Sequence, residues 1–107
     1  MAAGAIDGFC VGAPWNMIAS EKGVGRIVAT KQDIWASSPE KVLGMRPDWA
    51  DRNRDSVSRL IVALNAAARW CDDPTNHEAL ADLLAQEANL GAPVEIIRHV
   101  LAGQFAL

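Results

Sequence analysis

Cysteine is scarce in this chain of 107 residues: there are two, far apart, at Cys10 and Cys71. That excludes a disulfide-scaffolded miniprotein and any Cys-x-x-Cys motif. Each lies in an apolar setting, so two buried free thiols are expected, which leans toward a reducing compartment. Histidine is equally sparse. His77 and His99 have no ligand spacing to each other or to the cysteines, so neither a metal nor another cofactor is expected. No apolar run is long enough to cross a membrane. The first residues lack a basic region followed by an apolar core and do not read as a secretory signal. There is no excess of basic charge either: ten Lys and Arg against thirteen Asp and Glu give a net charge of −3, and no direct nucleic-acid partner is expected. A Ser-His-Asp set, a Gly-x-Ser-x-Gly elbow and a phosphate loop are all missing, so the chain does not read as an enzyme.

What is present is ordinary for a globular protein, 50% hydrophobic and 21% charged. The length suits one small domain over residues 1–107 but not two lobes with a cleft between them. Two short stretches carry the chemistry. In the first, Phe9-Cys10-Val11 is an apolar run bounded by glycines, which suits a buried strand. Gly12 lets the backbone turn or lets a ligand approach it. Pro14 suits the first position of a helix, and Ala13 before it offers no capping oxygen. Strand, glycine turn and uncapped helix start together can form an anion site, unless water or a neighbouring loop satisfies the same N–H groups. In the second stretch, Lys41 is a compact cation with three donors at the head of a third short strand, about Lys41 to Met45. Alternation along that strand sets Lys41 and Leu43 on the face opposite Glu40 and Val42. Taken alone, a single lysine reads as a solvated surface charge.

The remaining elements follow from periodicity and punctuation. Pro14 to Lys22 reads as a helix with Met17 and Ile18 inward and Gly23 as its stop. Arg26 to Ala29 reads as a second strand, Thr30 to Trp35 as a helical turn with Asp33 exposed, and residues 36–39 as a loop. Pro47 opens a helix, and Asp51-Arg52-Asn53-Arg54 is a solvated charged break. A long helix spans about Asp55 to Cys71, with Val57, Leu60, Ile61, Leu64, Ala67, Ala68 and Cys71 on one buried face and Arg59 and Arg69 off it. Thr75 and Glu78 have capping-box spacing for the next helix, whose core residues are Leu80, Leu83 and Leu84. After Gly91-Ala92-Pro93, the last helix runs from Pro93 to Ala102 with Val94, Ile97, Val100 and Leu101 on one side. Trp15 follows the Gly12 turn and is a candidate to line a ligand cleft; Trp35, Trp49 and Trp70 read as packing residues.

Four blocks carry a resemblance: residues 8–16 (GFCVGAPWN), 28–35 (VATKQDIW), 39–44 (PEKVLG) and 70–74 (WCDDP). In this order they resemble the nitrate/nitrite/bicarbonate-binding protein family, the substrate-binding components of nitrate and bicarbonate ABC importers, together with a related cytoplasmic nitrate/nitrite sensor that restrains an RNA-binding antiterminator. The resemblance covers nearly the whole chain but only the later part of the family's longer sequence, so residues 1–107 read as the C-terminal portion of such a chain. It implies an α/β fold, part of a type 2 periplasmic-binding-protein fold, with short strands near the N-terminus and a mostly helical C-terminal half. It also implies closure of two lobes around the anion.

By the same resemblance, Gly12 lies at the anion and Lys41 contacts it. Bicarbonate binders carry an acidic residue at the lysine's place and recruit a metal, so Lys41 implies nitrate or nitrite. The family's other ligand contacts, an aromatic residue, a glutamine and a histidine, fall upstream of Met1. The implied partners are a small inorganic anion and either an ABC permease or a regulatory protein. The location is periplasmic or membrane-anchored for a transport component and cytoplasmic for a sensor. A third reading is a helical scaffold without binding of its own, whose uncovered apolar surface leads it to self-associate.

Overall fold

The computed structural model describes residues 1–37, 39 and 41–104. These form six α-helices in the order α1 (Trp15–Glu21), α2 (Lys31–Ile34), α3 (Pro47–Arg52), α4 (Arg54–Asp72), α5 (His77–Ala85) and α6 (Val94–Leu101), with a 3₁₀ turn, Pro74–Asn76, before α5. The expected α/β architecture is not found. There is no strand among the described residues, and the stretches expected to be strands, 9–11, 26–29 and 41–45, are irregular chain. A strand exists only through hydrogen bonds to a neighbouring strand. Among the described residues none of those backbones pairs with another segment. Their apolar side chains consequently face solvent, with Val28 83% and Val42 88% exposed. The expected alternation of Lys41 and Leu43 against Glu40 and Val42 disappears with the strand; Glu40, like Ser38 in the expected loop, lies outside the described residues.

The core sits where α1, α5 and α6 meet. Ala81 of α5, Ala92 of the connection before α6 and Ile97 of α6 form its buried centre, and Ile18, Leu84, Ala85, Leu90, Val94 and Leu101 pack around it. Met17, Leu80 and Ile96 are buried as well. The small side chains of Ala81 on α5 and Ala92 in the α5–α6 connection leave room for Ile97, which is 2% exposed. Leu83, expected in the core, is exposed instead. Ile96, which the spacing did not single out, is buried in its place as a core residue.

Arg98 ties α6 back to α5. Its guanidinium pairs with Glu78 at 3.0 Å, Glu95 at 2.6 Å and Asp82 at 3.5 Å. The hydrogen bond to Glu78 and the surrounding carboxylates raise its pKa above the ordinary arginine value, so the charge is permanent. His99 faces Glu21 of α1 at 3.5 Å.

Helix ends follow local chemistry. Gly23 has φ +64°, and the Gly23 and Val24 N–H groups donate to the Ser20 and Ala19 carbonyls, a Schellman stop at the position the glycine predicts. Gly103 closes α6 in the same way, with Gly103 and Gln104 donating to Val100 and His99. Pro47 does open α3, and the charge run after it is a set of exposed ion pairs, Arg52 to Asp48 and Arg54 to Asp51, both 3.0 Å. The Thr75–Glu78 capping box does not form. The Thr75 hydroxyl and N–H both donate to Asp73, which caps the 3₁₀ turn, and Glu78 is taken by Arg98.

These contacts make Ile97 the residue on which the α1/α5/α6 cluster turns. Ile97→Ala is expected to cost about 2–4 kcal/mol, read as a fall in the thermal midpoint by circular dichroism. The same truncation at the exposed Val42 is expected to leave the midpoint unchanged within about 0.5 kcal/mol.

Candidate functional site

The candidate residues come from the irregular N-terminal half. Gly12 leads into α1, and its carbonyl accepts a hydrogen bond from the Trp15 N–H at 3.3 Å. Pro14 occupies the N-cap position rather than the first helical one, and no side chain caps the helix. Two of the donors expected to be orphaned nevertheless find partners. Besides the Trp15 N–H, the Met17 N–H donates to Asn16 Oδ1 at 3.0 Å. The Asn16 N–H is left without an acceptor among the described residues. Trp15 is 47% exposed, and its backbone, not its indole, is what the hydrogen bond ties to Gly12. Trp35, Trp49 and Trp70 are exposed as well, against the expectation that they serve as packing anchors.

Lys41 is exposed on the irregular segment that precedes α3. The structure therefore brings Gly12 and Trp15 together, and no described hydrogen bond carries either of them to Lys41. Cys10 is an exposed free thiol, not the buried one expected; Cys71 is also free and half-buried.

Sequence reasoning missed a groove on the other side of this half. Residues 7–11 and 25–29 line an open hollow of about 340 Å³, with Asn16 and Ala19 of α1 and with Met1. Asp7, Asn16 and Arg26 supply its polar groups and Phe9, Val11, Ile27 and Val28 its apolar ones. The signal was the pair of glycine-flanked apolar runs on either side of one short helix, read individually as strands rather than as two walls. Among the described residues no group of His, Cys, Asp and Glu is placed to hold a metal ion.

Between the groove and Lys41 lies α2, a single turn locked by a reciprocal cap. The Thr30 hydroxyl accepts from the Asp33 N–H at 3.3 Å, while Asp33 accepts from the Thr30 N–H and hydroxyl, both at 2.7 Å. The Thr30 side-chain hydrogen bond, and then its backbone one, hold the Asp33 carboxyl below the ordinary carboxylate value. Folding therefore favours the ionised form. The cap's contribution is complete above the ordinary pKa and disappears as pH falls through the lowered one.

Comparison with known proteins adds relatives to this geometry. The NMT1-like family matches residues 1–85. The bicarbonate transport ATP-binding protein CmpC of Synechococcus elongatus is 43% identical over 95 residues, 89% of this chain and 14% of the relative. The nitrate/nitrite binding protein NrtA of the same organism is 39% identical over 103 residues, 96% of this chain and 23% of the relative. The bicarbonate-binding protein CmpA of Synechococcus sp. is 33% identical over 101 residues, 94% of this chain and 22% of the relative. The chain thus spans less than a quarter of the length of these relatives. No solved structure matches it.

For the α2 cap the expected outcome is local. Amide NMR at falling pH should show the Asp33 and Thr30 N–H resonances losing protection before those of α6. In Asp33→Asn the Thr30 N–H should be unprotected already at neutral pH, with the rest of the spectrum unmoved.

Proposed function

The chain belongs to the NMT1-like family, and on that premise we propose that it binds nitrate or nitrite as the substrate-binding part of an ABC-type nitrate importer. The observation that carries this reading is the likeness to the nitrate/nitrite binding protein, 39% identical over 96% of this chain. The bicarbonate-binding protein CmpA is less similar, at 33%, and the bicarbonate transport ATP-binding protein CmpC more similar, at 43%, so the choice of anion rests on position 41. Lys41 supports the same choice of anion, because a lysine at that place suits a monoanion held without a metal. In this reading Lys41 neutralises the anion's charge. Gly12, with no side chain, lets the anion approach the Asn16 N–H at the start of α1, and Trp15 closes the site with a flat indole face. The family's relatives include ATP-binding proteins, but they share only a stretch that is 14% of their length. The reading therefore assigns binding to this chain and no catalytic step.

A second reading is favoured by the two free thiols at Cys10 and Cys71, which suit a reducing compartment. In it the same anion site belongs to a cytoplasmic nitrate/nitrite sensor and controls a contact with a regulatory protein. A partner captured without nitrate and released by nitrate, but not by chloride, supports sensing; a partner whose binding ignores nitrate counts against it.

Titration of nitrate, nitrite and bicarbonate into the chain, with chloride as the ionic-strength control, tests the anion reading. Gly12, Trp15 and Lys41 amides are expected to shift for nitrate or nitrite and not for chloride. Lys41→Glu replaces attraction by repulsion at the anion and should weaken binding by roughly 100-fold, about 2.7 kcal/mol. Unchanged affinity in that variant removes Lys41 from the site, and a response to bicarbonate alone reverses the choice of anion.

A further inference from the structure

Asp7 is the one aspartate in the 107 residues that is followed by glycine. The pair lies in the wall of the groove formed by residues 7–11 and 25–29, and both residues are exposed. Among the described residues the chain from 5 to 11 makes no main-chain hydrogen bond, so the Gly8 N–H has no acceptor. The Asp7 carboxylate has no hydrogen bond or ion pair among them either. A Cβ built on Gly8 would meet nothing within 4 Å, so no neighbouring atom confines the backbone there.

The other aspartates are held. Asp33 and Asp73 accept hydrogen bonds from Thr30 and Thr75, and Asp48, Asp51 and Asp82 pair with Arg52, Arg54 and Arg98. Asp55 and Asp72 lie within α4, whose helical backbone keeps the following N–H pointing along the axis. Asp7 alone among the aspartates joins an unpaired carboxyl to irregular chain without main-chain hydrogen bonds.

That arrangement permits a reaction between neighbours. The Gly8 nitrogen attacks Asp7 Cγ, and the new N–Cγ bond closes a cyclic imide. The hydroxyl of the protonated carboxyl leaves as water, taking the proton of the Gly8 N–H with it. Glycine favours this step, because no Cβ hinders the nitrogen and the backbone can swing round to the side chain. Water then opens the imide. Hydrolysis at the side-chain carbonyl restores aspartate. Hydrolysis at the main-chain carbonyl leaves Gly8 joined through Cγ, which is isoaspartate. No oxidant, metal or cofactor enters. The product adds a methylene carbon to the main chain of the groove wall and leaves the carboxylate directly on Cα.

We infer that Asp7–Gly8 is a modification site, at which the folded chain isomerises Asp7 to isoaspartate through a cyclic imide. The chemistry is independent of the anion reading and is read by isomer content, not by nitrate.

The test is incubation of the full chain at physiological temperature in mildly acidic buffer, with circular dichroism recorded throughout to show that it stays folded. Digestion and electron-based fragmentation in the mass spectrometer distinguish the two isomers. A protein-isoaspartate methyltransferase with labelled S-adenosylmethionine counts the isoaspartyl carboxylates. Isoaspartate is expected at position 7 ahead of every other aspartate and asparagine. Gly8→Pro, which lacks the attacking N–H, should abolish it. Gly8→Ala, whose Cβ fits the structure, should slow it severalfold with the circular dichroism unchanged. A peptide of residues 4–12 gives the rate of the unconfined sequence, and the folded chain is expected to keep pace with it. A folded chain that accumulates no isoaspartate at position 7 while the peptide does overturns the proposal. So does undiminished isoaspartate in Gly8→Pro, which would exclude the imide.

Discussion

The fold depends on how closely α5 and α6 approach each other. Ala81 on α5 and Ala92 in the connection before α6 leave the space that Ile97 occupies. A larger side chain at Ala81 would push the helices apart, one at Ala92 would displace the connection, and a smaller one at 97 would leave a void. The ion pairs that Arg98 makes with Glu78 and Asp82 run across the same junction at its solvent edge. They are exposed, so they orient the helices more than they stabilise them. Met17 and Ile18 bring α1 onto this pair, and through α1 the Gly12 turn is held in place.

The residues of the candidate site stand outside that junction. Gly12 and Trp15, joined by one hydrogen bond, lie at the start of the helix that packs on α6. Lys41 lies farther along, after the short capped turn of α2 and before α3.

Much of the helical half was legible because its signals are local. Gly23, Pro47 and the three- and four-residue spacing of α4 and α6 depend on backbone conformation and periodicity, which a single stretch of sequence contains. The strands were misread because an apolar run such as Phe9-Cys10-Val11 states only that it suits a strand, and the second strand it needs is not written there. The capping box at Thr75 and Glu78 failed for a related reason. Asp73, two residues before Thr75, competes for its hydroxyl, and Arg98, from another helix, competes for Glu78. The α4 stripe was read correctly as apolar but wrongly as buried, since periodicity identifies a face and not what covers it. At the candidate site the glycine turn was legible. The groove beside it was not, because its walls are far apart in sequence.

The contact of α1 with α6 also sets an order of events during folding. The helices α5 and α6 are neighbours along the chain and close a short loop, whereas α1 must be joined to α6 across everything from residue 22 to residue 93. Loop-closure entropy rises with the logarithm of that length. The α5–α6 pair is thus the natural nucleus, formed from local contacts on the fast side of the range for small domains. The docking of Ile18 of α1 onto it is the late step. The Gly12 turn, and any anion affinity it confers, is then acquired only after the C-terminal helices have assembled.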